Sequence, residues 1–340
     1  MLDPQTEALL RELNAMTRNT ETQAQKMDIA AARSGATATF ARFAGAADRS
    51  DCCTLDMFLP GGDGEVPARF YWPAERNEKL MPIIMFFHGG GWSLGEIDSY
   101  DGLLQTLSAL SGAGIISLDY RLAPEHPFPA GLEDCLAATR WVAQRLKAYG
   151  ASSGRYAVMG DSSGGNLAAA VARRLRREGL RPPLAQFLLY PLLDLSKPHS
   201  AYPTRMKFGG GDFFLSRDAI DATANWYLPD DASPDDPDIS PLLAEDIALS
   251  PPTVVLTAGF DPLRDEGRAY AQRLEDANAP VIFKCYETTI HGFLSFSGLD
   301  VAQQARIFLA DQIKRWLISG EDKNKVKAQD AFTARKAANE

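Results

Sequence analysis

Apolar residues in this chain gather in short unbroken runs, separated by stretches with helical spacing. "PIIMFFHGGG", "GIISLDY", "RYAVMGDSSGG", "LAQFLLYPLLD", "TVVLTAGFDPL" and "PVIFKCYE" each pack apolar positions together and end near Gly, Asp or Pro. That is the pattern of strands covered on both faces. Two further extended runs, "CTLDMFLP" and "VPARFYWP", precede them and are joined by the turn-rich "GGDGE". "PAGLEDCLAATRWVAQRLKAYG", closed by Gly150, and "NLAAAVARRLRREG" read as helices between strands. The alternation predicts an α/β fold with a mostly parallel sheet of eight strands and helices on both faces.

Two regions fall outside the alternation. Residues 1–48 look helical, "TEALLREL" having apolar positions at three- and four-residue spacing. Residues 196–235 interrupt the sheet pattern with "FGGGDFF" and a helix starting near Ser216. Together they are expected to form a helical cap over a catalytic domain of 49–195 and 236–318, leaving 319–340 as a polar tail.

Composition narrows the partners. With 340 residues and 45% apolar, the chain can bury a large core. Its net charge of −9 argues against nucleic acid, which needs clustered Lys and Arg. The basic run "RRLRREGLR" reads as the solvated face of a helix. No apolar run is long enough to span a membrane. The four cysteines, Cys52, Cys53, Cys135 and Cys285, show no zinc or redox spacing and read as free thiols, which with the charged N-terminus suggests a cytoplasmic protein.

The paired serines of "GDSSGG" carry the first chemistry. A strand, a sharp turn and a helix start are what a nucleophile elbow requires, and the turn leaves room only for small residues two positions either side of the nucleophile. Ser162 is flanked in this way by Gly160 and Gly164, whereas Ser163 would be flanked by Asp161 and Gly165. Ser162 is therefore the candidate nucleophile, and the Ser163 N–H can face a developing oxyanion. No lysine follows in a phosphate-loop position.

A serine needs a base, and four histidines compete. His88 precedes a glycine loop, His126 lies between prolines, and His199 opens the insertion. His291 follows the last strand and has an acid upstream at a strand end, giving the order Ser…Asp…His. Of Asp261, Asp265 and Glu266, Asp261 comes directly off a strand, while the other two sit where a helix begins and read as capping groups. "HGGGW" supplies oxyanion candidates, Gly89 and Gly90, beside the Ser163 N–H. Trp92, Met206, Phe208, Phe213 and Phe214, with Trp226 and Tyr227, either line an apolar pocket or glue the cap to the sheet.

"HGGGW", "DYRLAPEHPFPA", "GDSSGG", "YPLLD", "DPLRDEG" and "HGF", in that order over about 80–295, resemble the hormone-sensitive-lipase-like esterases of the α/β-hydrolase superfamily, in their bacterial GDSAG branch. The resemblance implies an α/β-hydrolase fold with a cap, a Ser162–Asp261–His291 triad, an oxyanion hole at Gly89, Gly90 and Ser163, and a homodimer formed through the last strand. Ser163 departs from the branch's usual alanine.

The expected activity is serine carboxylesterase action on short- to medium-chain esters through an acyl-enzyme, with a small-molecule ester as partner and no cofactor or metal. Amide or formamide hydrolysis by the same triad is the nearest alternative. A non-catalytic receptor on this fold is the remote one, because His291 is present.

Overall fold

A computed structural model describes residues 1–18, 28–45, 51–75, 81–151 and 154–318. The expected polar tail and the boundary near residue 48 lie outside them. The strands β1 (Cys52–Pro60), β2 (Glu65–Pro73), β3 (Ile83–Phe87), β4 (Gly114–Leu118), β5 (Tyr156–Asp161), β6 (Gln186–Leu189), β7 (Thr253–Phe260) and β8 (Val281–Ile290) form one sheet. Its order is β1-β2-β4-β3-β5-β6-β7-β8. Only β2 runs against its neighbours; every pairing from β4 to β8 is parallel.

The helices are α1 (Pro4–Arg18), α2 (Ile29–Phe43), α3 (Asp101–Ser111), α4 (Ala130–Gln144), α5 (Ser163–Arg177), α6 (Pro203–Phe208), α7 (Arg217–Tyr227), α8 (Arg264–Asp276) and α9 (Asp300–Ile313). Successive side chains of a strand point to opposite faces, so the fully buried β3 feeds two cores. Ile83, Met85 and Phe87 pack with Leu136 of α4, Leu167 of α5 and Leu274 of α8. Ile84 and Phe86 pack with Leu104 of α3, Leu309 of α9 and Leu10 of α1.

The sequence pattern overextends two elements. "LAQFLLYPLLD" is a strand only to Leu189, because Tyr190 turns to φ 37° and Pro191 has no N–H to give a ladder. α4 stops at Gln144, and Gly150, at φ 71°, closes a separate 3₁₀ turn, Leu146–Tyr149. Helices α3 and α9 go beyond the sequence reading. All four cysteines are free thiols, and Cys52 is buried while its neighbour Cys53 is half-buried. No described helix is long and apolar enough to cross a membrane.

Between β6 and β7 the chain leaves the sheet for α6 and α7. Ser216 caps α7, its Oγ accepting the Ala219 N–H at 3.0 Å. Arg205 of α6 pairs in the interior with Glu266 of α8, which also accepts the Leu193 N–H at 2.9 Å. Asp265 accepts the Thr204 N–H at 2.8 Å. These two acids therefore reach across to α6 instead of capping α8, whose start has no side-chain cap. A buried guanidinium requires such a partner.

The N-terminal helices settle at the same end of the sheet. α1 buries Leu9, Leu10 and Leu13, and its Asn14 amide donates to the Asp212 carbonyl of the insertion at 3.3 Å. α2 buries no residue. Its Arg33 donates to the Ser93 carbonyl at 2.9 Å and the Ala123 carbonyl at 3.1 Å, and forks onto Glu125.

Candidate active site

β5 delivers Asp161 and then breaks. Ser162 takes φ 53° and ψ −120°, and α5 begins at the next residue. A positive φ at a non-glycine residue costs on the order of 1–3 kcal/mol and persists only where its surroundings enforce it. Here the enforcement is steric. A Cβ on Gly160 would lie 2.1 Å from the Gly164 carbonyl oxygen, and one on Gly164 would lie 2.0 Å from the Phe87 carbonyl oxygen. Strand and helix can approach this closely because both flanks lack side chains.

A register shift brings the other groups together. Between Ala258 and Phe260 the single Gly259 faces three residues of β8, Glu287 to Thr289, so β8 bulges and Phe260 of β7 pairs with Ile290. The next residue on each strand then emerges beside the other: these are Asp261 and His291. Asp261 is fully buried, and its Oδ2 lies 2.8 Å from His291 Nδ1. His291 Nε2 lies 3.0 Å from Ser162 Oγ. Asp261 Oδ1 accepts the Leu263 N–H at 2.8 Å, which fixes the carboxylate. A carboxylate only accepts, so Nδ1 carries the imidazole proton and the Nε2 lone pair faces the serine. The Tyr190 ring stands edge-on to the imidazole, with centroids 5.0 Å apart.

The glycine loop after β3 faces Ser162, and here the sequence reading needs correction. The Gly89 N–H donates to Asp161 Oδ1 at 2.7 Å and approaches the Tyr100 hydroxyl at 3.0 Å. It is turned away from the reaction centre and cannot also serve an oxyanion. The N–H groups of Gly90, Gly91 and Ser163 have no acceptor among the described residues. Gly90 adopts φ 109°, open to glycine alone, and this turns the loop toward Ser162. The missed signal is Asp161, whose buried carboxylate one residue before the nucleophile requires a donor from the facing loop. Burial pushes its pKa up to about 7, with the Gly89 N–H and then His291 pulling it back.

Burial also pushes the His88 imidazole down to about 4. That ring stacks on Tyr120, with Nδ1 2.8 Å from the Gly89 carbonyl oxygen, and so supports the loop from below. His199 pairs with Asp221 inside the insertion, away from Ser162.

The aromatic candidates divide. Trp92 is buried and stacks flat on Tyr227 of α7, 4.2 Å apart. Phe208 and Phe213 cluster with Phe260, the residue before Asp261. Phe214 is partly exposed, at φ 75°, against Phe296 and near Gly292. Met206 is 51% exposed and points to solvent. Among the described residues, no cluster of His, Cys, Asp or Glu could hold a metal ion.

The doubly covered parallel sheet and the Asp–His–Ser chain at a strand–helix elbow define an α/β hydrolase. A family described as alpha/beta hydrolase fold matches residues 84–295. Carboxylic ester hydrolase LipN of Mycobacterium tuberculosis is 42% identical over 250 residues, covering 72% of this chain and 65% of its own length. An ethyl acetate hydrolase of Pseudomonas putida is 34% identical over 82% of this chain and 87% of its own. Among solved structures, the ester hydrolase EH1AB1 from the metagenome of Lake Arreo, complexed with a bipyridine phosphonate derivative, superposes with a TM-score of 0.83. It is 36% identical and covers 92% of this chain and 98% of its own. The chain belongs to the α/β-hydrolase fold family, in its hormone-sensitive-lipase-like branch. Serine carboxylic ester hydrolysis is the activity this kinship assigns to it.

Proposed function

We propose that Ser162, His291 and Asp261 are the catalytic triad of this carboxylesterase, and that the N–H groups of Gly90, Gly91 and Ser163 form its oxyanion hole. The hydrogen-bonded line from Asp261 through His291 to Ser162, at 2.8 and 3.0 Å, carries the reading. His291 Nε2 takes the hydroxyl proton as Ser162 Oγ attacks the ester carbonyl. The three N–H groups receive the oxyanion, and Asp261 stabilises the imidazolium. His291 then hands its proton to the leaving alcohol, and water repeats the sequence on the acyl-enzyme.

The N-terminal helices and the 196–235 insertion act as a cap. Both reach the glycine loop: Arg33 at the Ser93 carbonyl, and α7 through Tyr227 on Trp92. A capped site favours short- to medium-chain esters, which the ethyl acetate hydrolase relative also supports. Four free thiols support a cytoplasmic location, and the open edge of β8 supports a homodimer.

The test follows p-nitrophenyl esters from acetate to palmitate, with p-nitroacetanilide alongside, for wild type and Ser162→Ala. Short esters turn over fastest, the anilide scarcely reacts, and the variant loses on the order of 10⁴-fold or more in kcat. Near-normal turnover by Ser162→Ala would sink the triad, and a palmitate optimum would sink the substrate range.

A further inference from the structure

Both neighbours of Ser162 reach the glycine loop with their side chains. Asp161 takes the Gly89 N–H at 2.7 Å, and the Ser163 hydroxyl oxygen accepts the Trp92 N–H at 3.2 Å. The Gly90 and Gly91 N–H groups lie on the short span between these two anchors. Ser163 is fully buried, and its hydroxyl also meets the Tyr120 phenol. Tyr120 in turn donates to the His88 carbonyl at 2.8 Å, at the start of the same loop.

Trp92 needs an anchor. It sits at φ 58°, a conformation that a bulky side chain keeps only when its surroundings hold it. Its ring stacks on Tyr227, and its carbonyl accepts the Ala123 N–H at 2.9 Å. Neither contact fixes the amide that follows Gly91. The Ser163 hydroxyl does.

We propose that the Ser163 side chain is a positioning residue for the oxyanion hole, aligning the Gly90 and Gly91 N–H groups by holding the end of their loop. The inference rests on the triad and oxyanion reading above. Preorganised donors stabilise charge without reorienting during the reaction, so a loop free to tilt loses transition-state stabilisation and keeps ground-state binding. One residue thus supplies a donor with its backbone and aligns two more with its hydroxyl.

Ser163→Ala removes the hydroxyl, keeps the backbone N–H and adds no atom to the elbow. Wild type and variant are compared on p-nitrophenyl butyrate, and on an aryl trifluoromethyl ketone that adds Ser162 Oγ to give a hemiketal oxyanion. Loss of one aligning hydrogen bond lowers kcat by about 3- to 10-fold and weakens the ketone by the same factor, with KM changed by less than about twofold. Ser163→Cys keeps a weak sulfur acceptor and falls between the two; it also carries the comparison if alanine leaves the elbow misfolded. A role in packing alone would lower the melting temperature without this matched loss in kcat and ketone affinity. Unchanged kcat and ketone affinity in folded Ser163→Ala, or a rise in KM alone, overturns the proposal. Ser162→Ala run in parallel separates the two failures. Turnover by that variant removes the triad reading itself, whereas a silent Ser162→Ala beside a full-speed Ser163→Ala removes only the role of the hydroxyl.

Discussion

At Gly164 one added carbon would lie 2.0 Å from the Phe87 carbonyl oxygen, whereas in the insertion the Met206 side chain is half exposed and its carbonyl meets the Arg217 guanidinium at 3.2 Å. The elbow is fixed by backbone crowding, of Gly160 against Gly164 within the turn and of Gly164 against the end of β3. The insertion is fixed by polar side chains: Arg205 to Glu266 and Asp265 to the Thr204 N–H, both distant in sequence, and Tyr202 to the nearer Asp194. The difference separates two kinds of fragility. Substitutions in the first region act on the reaction, while those in the second act on how firmly the cap is seated.

The Arg205–Glu266 pair is the most severe test of that division. Arg205 is 2% exposed and Glu266 fully buried. Arg205→Met leaves the carboxylate inside with the Leu193 N–H still donating to it. Removing one partner of a buried pair costs about 3–5 kcal/mol. At this chain length that is a fall of roughly 4–7 °C in melting temperature. Arg205→Met with Glu266→Leu recovers most of the loss, because neither charge is then stranded. Calorimetry of the two variants decides it. A single variant that melts with wild type would mean that the insertion is seated by something else.

Asp161 is the reaction centre's own buried acid, and among the described residues no guanidinium or ammonium group pairs with it. Its folded-state pKa of about 7 stands above the ordinary 3.8, raised by burial. Between those values the folded state holds a proton that the unfolded state releases, so stability falls as pH rises. The contribution is fully present below about pH 4 and lost by the time pH has passed about 7. Asp161→Asn cannot titrate. Its melting temperature relative to wild type therefore rises from pH 5 to pH 8, by an amount equivalent to on the order of 2–4 kcal/mol. Melts of both proteins in matched buffers at the two pH values measure it. A difference that stays constant would show that the elbow carries no such buried-charge penalty.

These two regions were also unequally legible in the sequence. The inner strands could be read because a doubly covered strand is apolar over most of its length, as β3 and the start of β5 are, while β1 and β2 showed as extended runs about a turn. The elbow could be read because its crowding permits only glycine at 160 and 164, and Asp261 and His291 could be read from the Ser…Asp…His order and their strand ends, which the pairing of Phe260 with Ile290 sets side by side. Which loop glycine faces Ser162 could not be read so easily. Nothing within "HGGGW" tells its glycines apart, which leaves Gly89 and Gly90 together as candidates, and only the Asp161 carboxylate, seventy-two positions away, singles out Gly89 as the one turned inward. The aromatics of the insertion carried still less information. The same residue type is buried against Phe260 at Phe208 and stands partly exposed at Phe214.

The smallest effect belongs to α2, which buries no residue and leans on Phe40 against Tyr100 and on the Arg33 fork. The Arg33–Glu125 pair is about one-third to one-half exposed, so water screens it and the pair itself is worth about 0–1 kcal/mol. The guanidinium's bonds to the Ser93 and Ala123 carbonyls add a comparable amount. Arg33→Ala therefore lowers the melting temperature by roughly 1–3 °C. The triad does not touch Arg33, so kcat on p-nitrophenyl acetate holds. The loosened helix lies over the glycine loop, so longer esters, which need the cap's apolar surface, show a KM raised by about two- to fivefold. A parallel fall in kcat for acetate would mean that α2 braces the oxyanion loop as well as covering it, and the line between reaction centre and cap would have to be redrawn through Ser93.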